Sequence, residues 1–166
     1  MRRRCGRARA AALHTTAVGD LFPGHGGASG HAIFAFLAES RVRTLFGETL
    51  ERYSPSTATT IDELLAIYAE VRRTGIATSH GEYDARVTAV AAPVFARGVA
   101  TGAISVIGPR ESMRNHLDAV VPPLRRTAEQ ISALLTGPPP GEPHTTEGAP
   151  SLAARLPGEL LTRGRD

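Results

Sequence analysis

Residues 87–107 have the sequence VTAVAAPVFARGVATGAISVI, and this stretch decides the fold class. Its two apolar runs, Val87–Phe95 and Ala100–Ile107, are rich in β-branched residues and predict β-strands. Arg97-Gly98 between them is typical of a hairpin turn, so the strands should pair antiparallel. Pro93 has no N–H to donate and therefore predicts an edge position or a bulge in the first strand.

The best-marked helix of the chain lies before this hairpin. Thr60 is placed as its N-cap, and Glu63 three residues later gives the capping-box pattern. Apolar side chains at helical spacing follow, and Gly75 is placed to end the helix. Ile76–Ser79, directly after it, is short and predicted to be extended.

Three further helical segments complete the pattern. Gly24–Gly30 (GHGGASG) is predicted to be a flexible loop that enters a buried helix at Ala32–Leu37, with a short second helix at Glu39–Phe46. Met113–Leu135 is amphipathic, and Pro122-Pro123 should kink it or split it in two. This order of elements predicts an α+β domain, with helices packed on an antiparallel sheet.

The positive charge of the chain is concentrated at its start. All 19 basic residues are Arg, and five of them fall within residues 1–10, which leaves 14 basic against 16 acidic residues in the rest. A domain that binds nucleic acid carries a basic stripe on its helices or strands, and none is visible in the sequence. The single Cys5 excludes an internal disulfide framework and fits a reducing compartment. No apolar run is long enough to span a membrane, so we expect a cytoplasmic protein without a membrane partner.

The glycine-rich stretch raises the question of catalysis. His25-Gly26-Gly27 is similar to the oxyanion-hole sequence of esterases, and Ser29 lies in a near match to a G-x-S-x-G nucleophile motif, with His31 in place of the second Gly. A small hydrolase using Ser29 is therefore an alternative interpretation, although esterases keep these two motifs on separate loops. The same glycines either hold an anion with their backbone N–H groups or merely allow close packing.

No other cluster of reactive side chains is evident in the sequence. The six His lack metal-ligand spacing and Cys5 has no partner thiol, so we expect no metal and no cofactor. His25 and His31 are expected to be capping or surface side chains, and Glu82 and Asp84 to be solvated in a polar loop. No set of nucleophile, base and orienting residue can be assembled, which favours a ligand-binding or interaction domain over an enzyme.

Three segments, in order, resemble the C-terminal effector-binding domain of the IclR family of transcription regulators. They are FPGHGGASGHAIFAFL at Phe22–Leu37, LERYSPSTATTIDELLAIYAEVRRTG at Leu50–Gly75, and GEYDARVTAVAAPVF with GAISVIGP within Gly81–Pro109. The likeness extends over Val18–Leu135. It implies a GAF-like antiparallel sheet flanked by helices, in a bacterial regulator that senses a small molecule.

The resemblance also implies an effector pocket between the Gly-rich loop and the inner face of the sheet. Carried onto this chain, the effector-binding residues are Ala28, Ser29, Ser79, Val87, Ala89, Ser105 and Ile107. Strand alternation allows the strand residues among them to share a face, although Val87, Ala89 and Ile107 are equally suited to an ordinary core. The Ser29 hydroxyl and the amides beside it are candidates to receive a carboxylate of the effector.

This chain departs from the family pattern at three positions of the pocket region. The family usually has Lys at the position of His31, often an acidic residue at Ser79, and Ser at Ile107. These replacements predict a less polar pocket, which argues against a small hydrophilic acid and leaves room for an aromatic or more hydrophobic effector. The expected partner is a small-molecule effector of the class of carboxylates or aromatic acids.

The resemblance also defines the expected organisation of the chain. Such a regulator begins with a winged helix-turn-helix, for which residues 1–23 before the Gly-rich loop are too short. We therefore expect an Arg-rich remnant at 1–17, the effector-binding domain at 18–136 and a disordered Pro- and Gly-rich tail at 137–166.

The expected domain is truncated at its start. It should lack the first strands of its sheet, leaving an open edge that favours homo-oligomers, and DNA would be bound only through the helix-turn-helix domain absent from this chain. A free-standing GAF-like ligand-binding module is a further alternative.

Overall fold

The structure, a computed structural model, describes residues 21–136. The predicted Arg-rich remnant and the predicted disordered tail lie outside these residues. The described elements are, in chain order, α1 (Ala28–Phe34), α2 (Glu39–Phe46), α3 (Ile61–Thr74), β1 (Ala77–His80), β2 (Val87–Ala96), β3 (Val99–Pro109), α4 (Arg110–Arg114) and α5 (Leu117–Thr136). Three helices, the three strands of an antiparallel sheet and then two further helices follow one another, as the predicted order requires. The α+β fold class is therefore confirmed.

The three strands form one antiparallel sheet in the order β1-β2-β3. The predicted turn is confirmed, because Arg97 and Gly98 both adopt positive φ, at 51° and 79°, as a two-residue hairpin turn of this hand requires. Of the two alternatives predicted from Pro93, the edge position is wrong, since β2 is the central strand, whereas the register irregularity directly after it, between Val94 and Phe95, agrees with the bulge. The proline is tolerated because the pairing of β1 with β2 ends at Ala91 and the register of β2 with β3 shifts between Val94 and Phe95.

Helices cover both faces of this sheet and bury two separate cores. On one face, α1 and α3 pack on the strands and α2 packs on α3, and the buried residues include Ala28, Ala32, Leu64, Tyr68, Ala77 and Ala91. On the other face, helices α4 and α5 bury Ile76, Val90, Ala92, Val94, Met113, Leu124 and Ala128. The first core is rich in alanine near α1, which lets that helix lie close to the sheet.

The local signals of α2 and α3 predicted their boundaries well. Helix α2 spans the predicted residues, and α3 begins with the predicted capping box, in which the Glu63 amide donates to Thr60 Oγ1 at 3.3 Å and the Glu63 carboxylate accepts from the Thr60 amide. Gly75 ends α3 in the left-handed conformation.

Two helix predictions are corrected. Helix α1 begins at Ala28, inside the Gly-rich stretch, rather than at Ala32. The C-terminal helical region divides at Asn115 and His116, and α5 then continues through Pro122 and Pro123. Pro122 and Pro123 are the sixth and seventh residues of α5, so their missing N–H groups leave the carbonyls of Asp118 and Ala119 without a helical donor, near the start of the helix. None of the helices between residues 21 and 136 has the length and apolar character needed to cross a bilayer.

Candidate ligand-binding site

A cavity of about 250 Å³ lies between the Gly-rich loop with the start of α1 and one face of the sheet. Its lining includes all seven residues predicted as site residues: Ala28, Ser29, Ser79, Val87, Ala89, Ser105 and Ile107. The loop, β1, β2 and β3 thus contribute to a single concave surface. The structure brings together the residues that the family likeness selected from four separate segments.

The register of the sheet explains why the strand residues meet. Ser79, Ala89 and Ile107 lie directly opposite one another on the three strands, and Ser105 shares their face two residues before Ile107. The side chain at the centre of this row is the methyl group of Ala89, which leaves space above the sheet for a guest.

The walls of the cavity contain aromatic residues that the sequence analysis did not select. Phe22 and Tyr83 both line it, and their rings meet edge to face at a centroid distance of 5.7 Å. Tyr53 in turn contacts Tyr83 at 5.3 Å. Phe22 and Tyr83 are 47% and 39% exposed, so both remain accessible. The sequence distinguishes Phe22 and Tyr83 only as members of a small set of aromatic residues, and that rarity does not predict that they line a cavity.

The glycines of the loop serve close packing. A Cβ atom at Gly30 would collide with the carbonyl oxygen of Gly24. The backbone at Gly30 therefore lies directly against the backbone at Gly24, which only glycine at position 30 allows. Gly27, the N-cap of α1, has a φ of 136° that other residues avoid. The loop is therefore held in one shape, by contacts that larger residues would break.

A buried pair of ionisable side chains lies behind the cavity. Glu82 is only 8% exposed and His31 is fully buried, and 3.3 Å separate the Glu82 Oε2 and His31 Nε2 atoms. The expectation that Glu82 is solvated is therefore wrong, because the chain after β1 folds inward against the start of α1. His25 is also buried, and its backbone oxygen accepts from His31 Nε2 at 3.0 Å, so the expectation that His25 and His31 are surface residues is wrong too.

Burial shifts the pKa values of this pair in opposite directions. It raises the pKa of Glu82 to about 7, against the opposing effect of hydrogen bonds from the Gly27 amide and the Ser79 hydroxyl. It lowers the pKa of His31, against the opposing effect of the hydrogen bond to His25. Burial also raises the pKa of the neighbouring Tyr68. The site therefore favours the uncharged forms of all three groups.

Three buried polar atoms of this cluster have no hydrogen-bond partner among residues 21–136. They are His31 Nδ1, the Tyr68 hydroxyl and Glu82 Oε2. The side chain of Asp84 is 17% exposed and forms an ion pair with Arg86, with 2.6 Å between the charged atoms. Asp84 is therefore less exposed than the expected solvated side chain, but more exposed than Glu82.

The histidines near Ser29 are engaged elsewhere. His25 Nε2 lies 2.9 Å from the backbone oxygen of Glu51, and His31 Nε2 is bonded to His25. Ser29 is exposed, and in the described part of the chain no hydrogen bond joins it to either imidazole. Within residues 21–136, neither His25 nor His31 is therefore placed to act as the base that a hydrolase would require at Ser29.

Comparison with protein families and known structures gives a consistent result. Residues 7–133 match the family described as bacterial transcriptional regulator IclR, C-terminal. A protein of Silicibacter sp. TM1040 assigned to the IclR transcriptional regulators is 33% identical, with a TM-score of 0.68 over 82% of this chain and 55% of its own. An IclR transcriptional regulator of Alicyclobacillus acidocaldarius is 31% identical, with a TM-score of 0.68 over 74% of this chain and 50% of its own. The chain therefore spans about half the length of these two proteins.

A third solved structure carries a ligand. The inducer-binding domain of the transcription factor PobR from Acinetobacter, a double mutant in complex with 3-hydroxybenzoic acid, is 26% identical, with a TM-score of 0.62 over 68% of this chain and 67% of its own. The comparison with curated proteins found no match.

Proposed function

The chain belongs to the IclR family of bacterial transcriptional regulators, whose C-terminal domain it matches, and on this premise we propose that it is the effector-sensing part of such a regulator. The observation that carries the proposal is the cavity between the Gly-rich loop and the sheet, lined by Ala28, Ser29, Ser79, Val87, Ala89, Ser105 and Ile107. Its volume of about 250 Å³ suits one small organic molecule. The PobR domain, which shares this fold, holds such a molecule.

The geometry supports a sensing mechanism based on population shift. An effector in the cavity would contact the start of α1 together with strands β1, β2 and β3, so it would stabilise one arrangement of these elements over others. Coupling to DNA then requires that the DNA-competent and incompetent assemblies differ in their affinity for the effector. In this proposal DNA is bound by a helix-turn-helix domain outside the sensing domain.

Self-association belongs to the same proposal. β3 is one of the two outer strands of the described sheet, and none of its eleven residues carries a charge. Uncharged edge strands readily pair with another chain, and a regulator of two-fold symmetric DNA sites needs at least two copies.

The cavity is tested by filling it. Ala89→Leu places a larger side chain at the centre of the cross-strand row, where it should exclude a ligand while adding apolar surface. A single-ring compound that binds in the cavity should raise the Tm of the wild-type chain. We expect the same compound to leave the Tm of the Ala89→Leu variant unchanged. At a ligand concentration of about 100 times Kd, the free energy of unfolding of the wild type should rise by about 2.7 kcal/mol. This increase corresponds to a rise in Tm of several degrees.

The matched control is Ala66→Leu, which makes the same change on the exposed side of α3. This variant should retain the full ligand-induced shift. Equal shifts in all three proteins would show that the compounds bind outside the cavity and would contradict the proposed function.

A further inference from the structure

Among residues 21–136, no cationic side chain lines the cavity. Its fourteen lining residues include no Arg and no His, and the one carboxylate among them is that of Asp84. Arg86 is the nearest counter-charge in sequence, but its side chain is 74% exposed and its guanidinium is bonded to Asp84 through two nitrogens. Arg110 reaches the backbone oxygen of Ala85 and does not line the cavity either. An anionic guest would therefore lose its hydration without gaining a partner charge.

Two hydrogen-bond donors beside the floor of the cavity are already committed. Gly27 and Ser79 both line the cavity, and the Gly27 amide and the Ser79 hydroxyl donate to the buried carboxyl of Glu82 behind it. Because the single hydroxyl proton of Ser79 is used in this way, its oxygen offers only lone pairs to a guest. The amide of Gly27 is likewise unavailable to an anion. Next to Glu82 the floor therefore presents acceptors, while the Ser29 and Ser105 hydroxyls, which also line the cavity, carry no charge to balance that of an anion.

Apart from Ser29, Ser105 and Asp84, the remaining lining residues of the cavity are apolar or aromatic. Val87, Ala89 and Ile107 form the sheet side, and Phe22 and Tyr83 form the mouth. A cavity of about 150 Å³ already accommodates benzene, so the volume here is ample for one substituted ring.

From these contacts we propose that the effector is an uncharged single-ring compound bearing a hydrogen-bond donor, of the class of aryl alcohols, and that carboxylates are disfavoured. This inference rests on the proposed function, because it concerns the ligand of the same cavity. It departs from the sequence-based expectation of a carboxylate or aromatic acid, and it distinguishes this site from that of the PobR domain, whose ligand is an acid. The hydroxyl of such a ligand would donate to Ser79 Oγ while its ring packs between Tyr83 and the sheet.

The test uses three ligands that share a benzene ring and differ in one substituent, which is uncharged, anionic or cationic. Benzyl alcohol, benzoate and benzylammonium are titrated separately into the full chain at pH 7.5, with Kd measured by calorimetry and binding checked by thermal shift. We expect benzyl alcohol to bind at least about tenfold more tightly than benzoate, and more tightly than benzylammonium. The Ser79→Ala variant should lose several-fold in affinity for the alcohol and leave the affinity for benzoate unchanged.

The outcomes separate this inference from the function on which it rests. Tightest binding by benzoate or by benzylammonium, abolished in Ala89→Leu, would overturn the inference and leave the effector site in place. Binding that persists in Ala89→Leu, or no binding of any of the three, would overturn both. An alcohol preference that is unchanged in Ser79→Ala would overturn the assignment of Ser79 as the acceptor.

Discussion

At the scale of single residues, the pair Glu82 and His31 is the most consequential feature of the site. Both side chains are withdrawn from water, and their facing atoms are 3.3 Å apart. Burial penalises the charged form of each, which raises the pKa of one and lowers that of the other. The two groups therefore contribute pH-dependent stability with opposite signs.

The sign of the Glu82 contribution follows from its raised pKa. In the folded protein the pKa of Glu82 is about 7, compared with the ordinary value of 4.5. Between pH 4.5 and about 7 the folded state therefore binds more protons at this group than the unfolded state does. Stability due to this group is present below pH 4.5 and is lost as the pH rises to about 7. His31 acts in the opposite direction, because its lowered pKa makes stability increase as the pH rises towards 6.5.

A neutral replacement at Glu82 isolates its contribution. Glu82→Gln keeps an acceptor for the Gly27 amide and the Ser79 hydroxyl but cannot ionise. We expect the stability of this variant relative to the wild type to increase between pH 5 and pH 8. With about 1.4 kcal/mol for each unit of pKa shift, the increase should be on the order of 2–3 kcal/mol. Denaturant unfolding at the two pH values measures it, and His31 is present in both proteins.

The control for this experiment is Glu111→Gln, at an exposed carboxyl on the short helix α4. Its stability relative to the wild type should be the same at both pH values. If Glu82→Gln behaves like this control, the carboxyl of Glu82 is not held in its uncharged form.

At the scale of elements, the start of α3 depends on one side chain. The Thr60 hydroxyl accepts from the Glu63 amide, and replacing it with a methyl group leaves that donor without its capping partner. We expect Thr60→Ala to reduce the free energy of unfolding by about 1 kcal/mol. Thr44→Ala is the matched control, since the Thr44 hydroxyl bonds only the carbonyl of Ser40 within α2, and it should change stability by less than about 0.5 kcal/mol. Chemical denaturation of both variants decides whether the cap contributes as described.

The loop that shapes the cavity depends on the absence of a side chain at Gly30. A methyl group there would meet the Gly24 carbonyl, so Gly30→Ala must displace backbone and should cost roughly 2 kcal/mol or more. Gly102→Ala on β3 meets nothing within 4 Å and should be neutral or slightly stabilising. Equal stability of the two variants, measured by thermal unfolding, would argue against a tightly packed loop.

Signals confined to a few neighbouring residues predicted the elements well. The capping box at Thr60, the stop at Gly75 and the turn at Arg97-Gly98 each satisfy backbone groups within a few residues, so they are visible in the sequence. The position of Pro93 on a central strand was not predictable in this way. It depends on where the short strand β1 stops, which is a tertiary property.

At the scale of the whole molecule, the cavity results from packing that no single segment encodes. The family likeness selected seven of its fourteen lining residues from four segments, but the sequence contained no signal for the inward fold of Glu82 or for the aromatic residues Phe22 and Tyr83 at the cavity. Both depend on the distance between the Gly-rich loop and the loop after β1. That distance is set by the approach of Gly30 to Gly24 and by the small side chains beneath α1.

The outer edge of the sheet is the second feature that belongs to the whole molecule. β3 is an edge strand of eleven residues without a charged side chain, and within residues 21–136 no further strand pairs with it. Natural proteins usually protect such an edge with charged side chains, so its present composition favours pairing with a second copy. We expect the wild-type chain to self-associate, and Thr101→Lys, at an exposed position of β3, to weaken association by about tenfold or more.

Sedimentation equilibrium measures this effect directly. Thr136→Lys, which adds the same charge at the exposed end of α5, should leave the dissociation constant unchanged. If both Lys variants weaken association equally, the effect is one of net charge and the β3 edge is not the interface. A wild-type chain that stays monomeric at high concentration would show that the edge is protected by other means. The symmetric assembly proposed for the regulator would then have to form through a different surface.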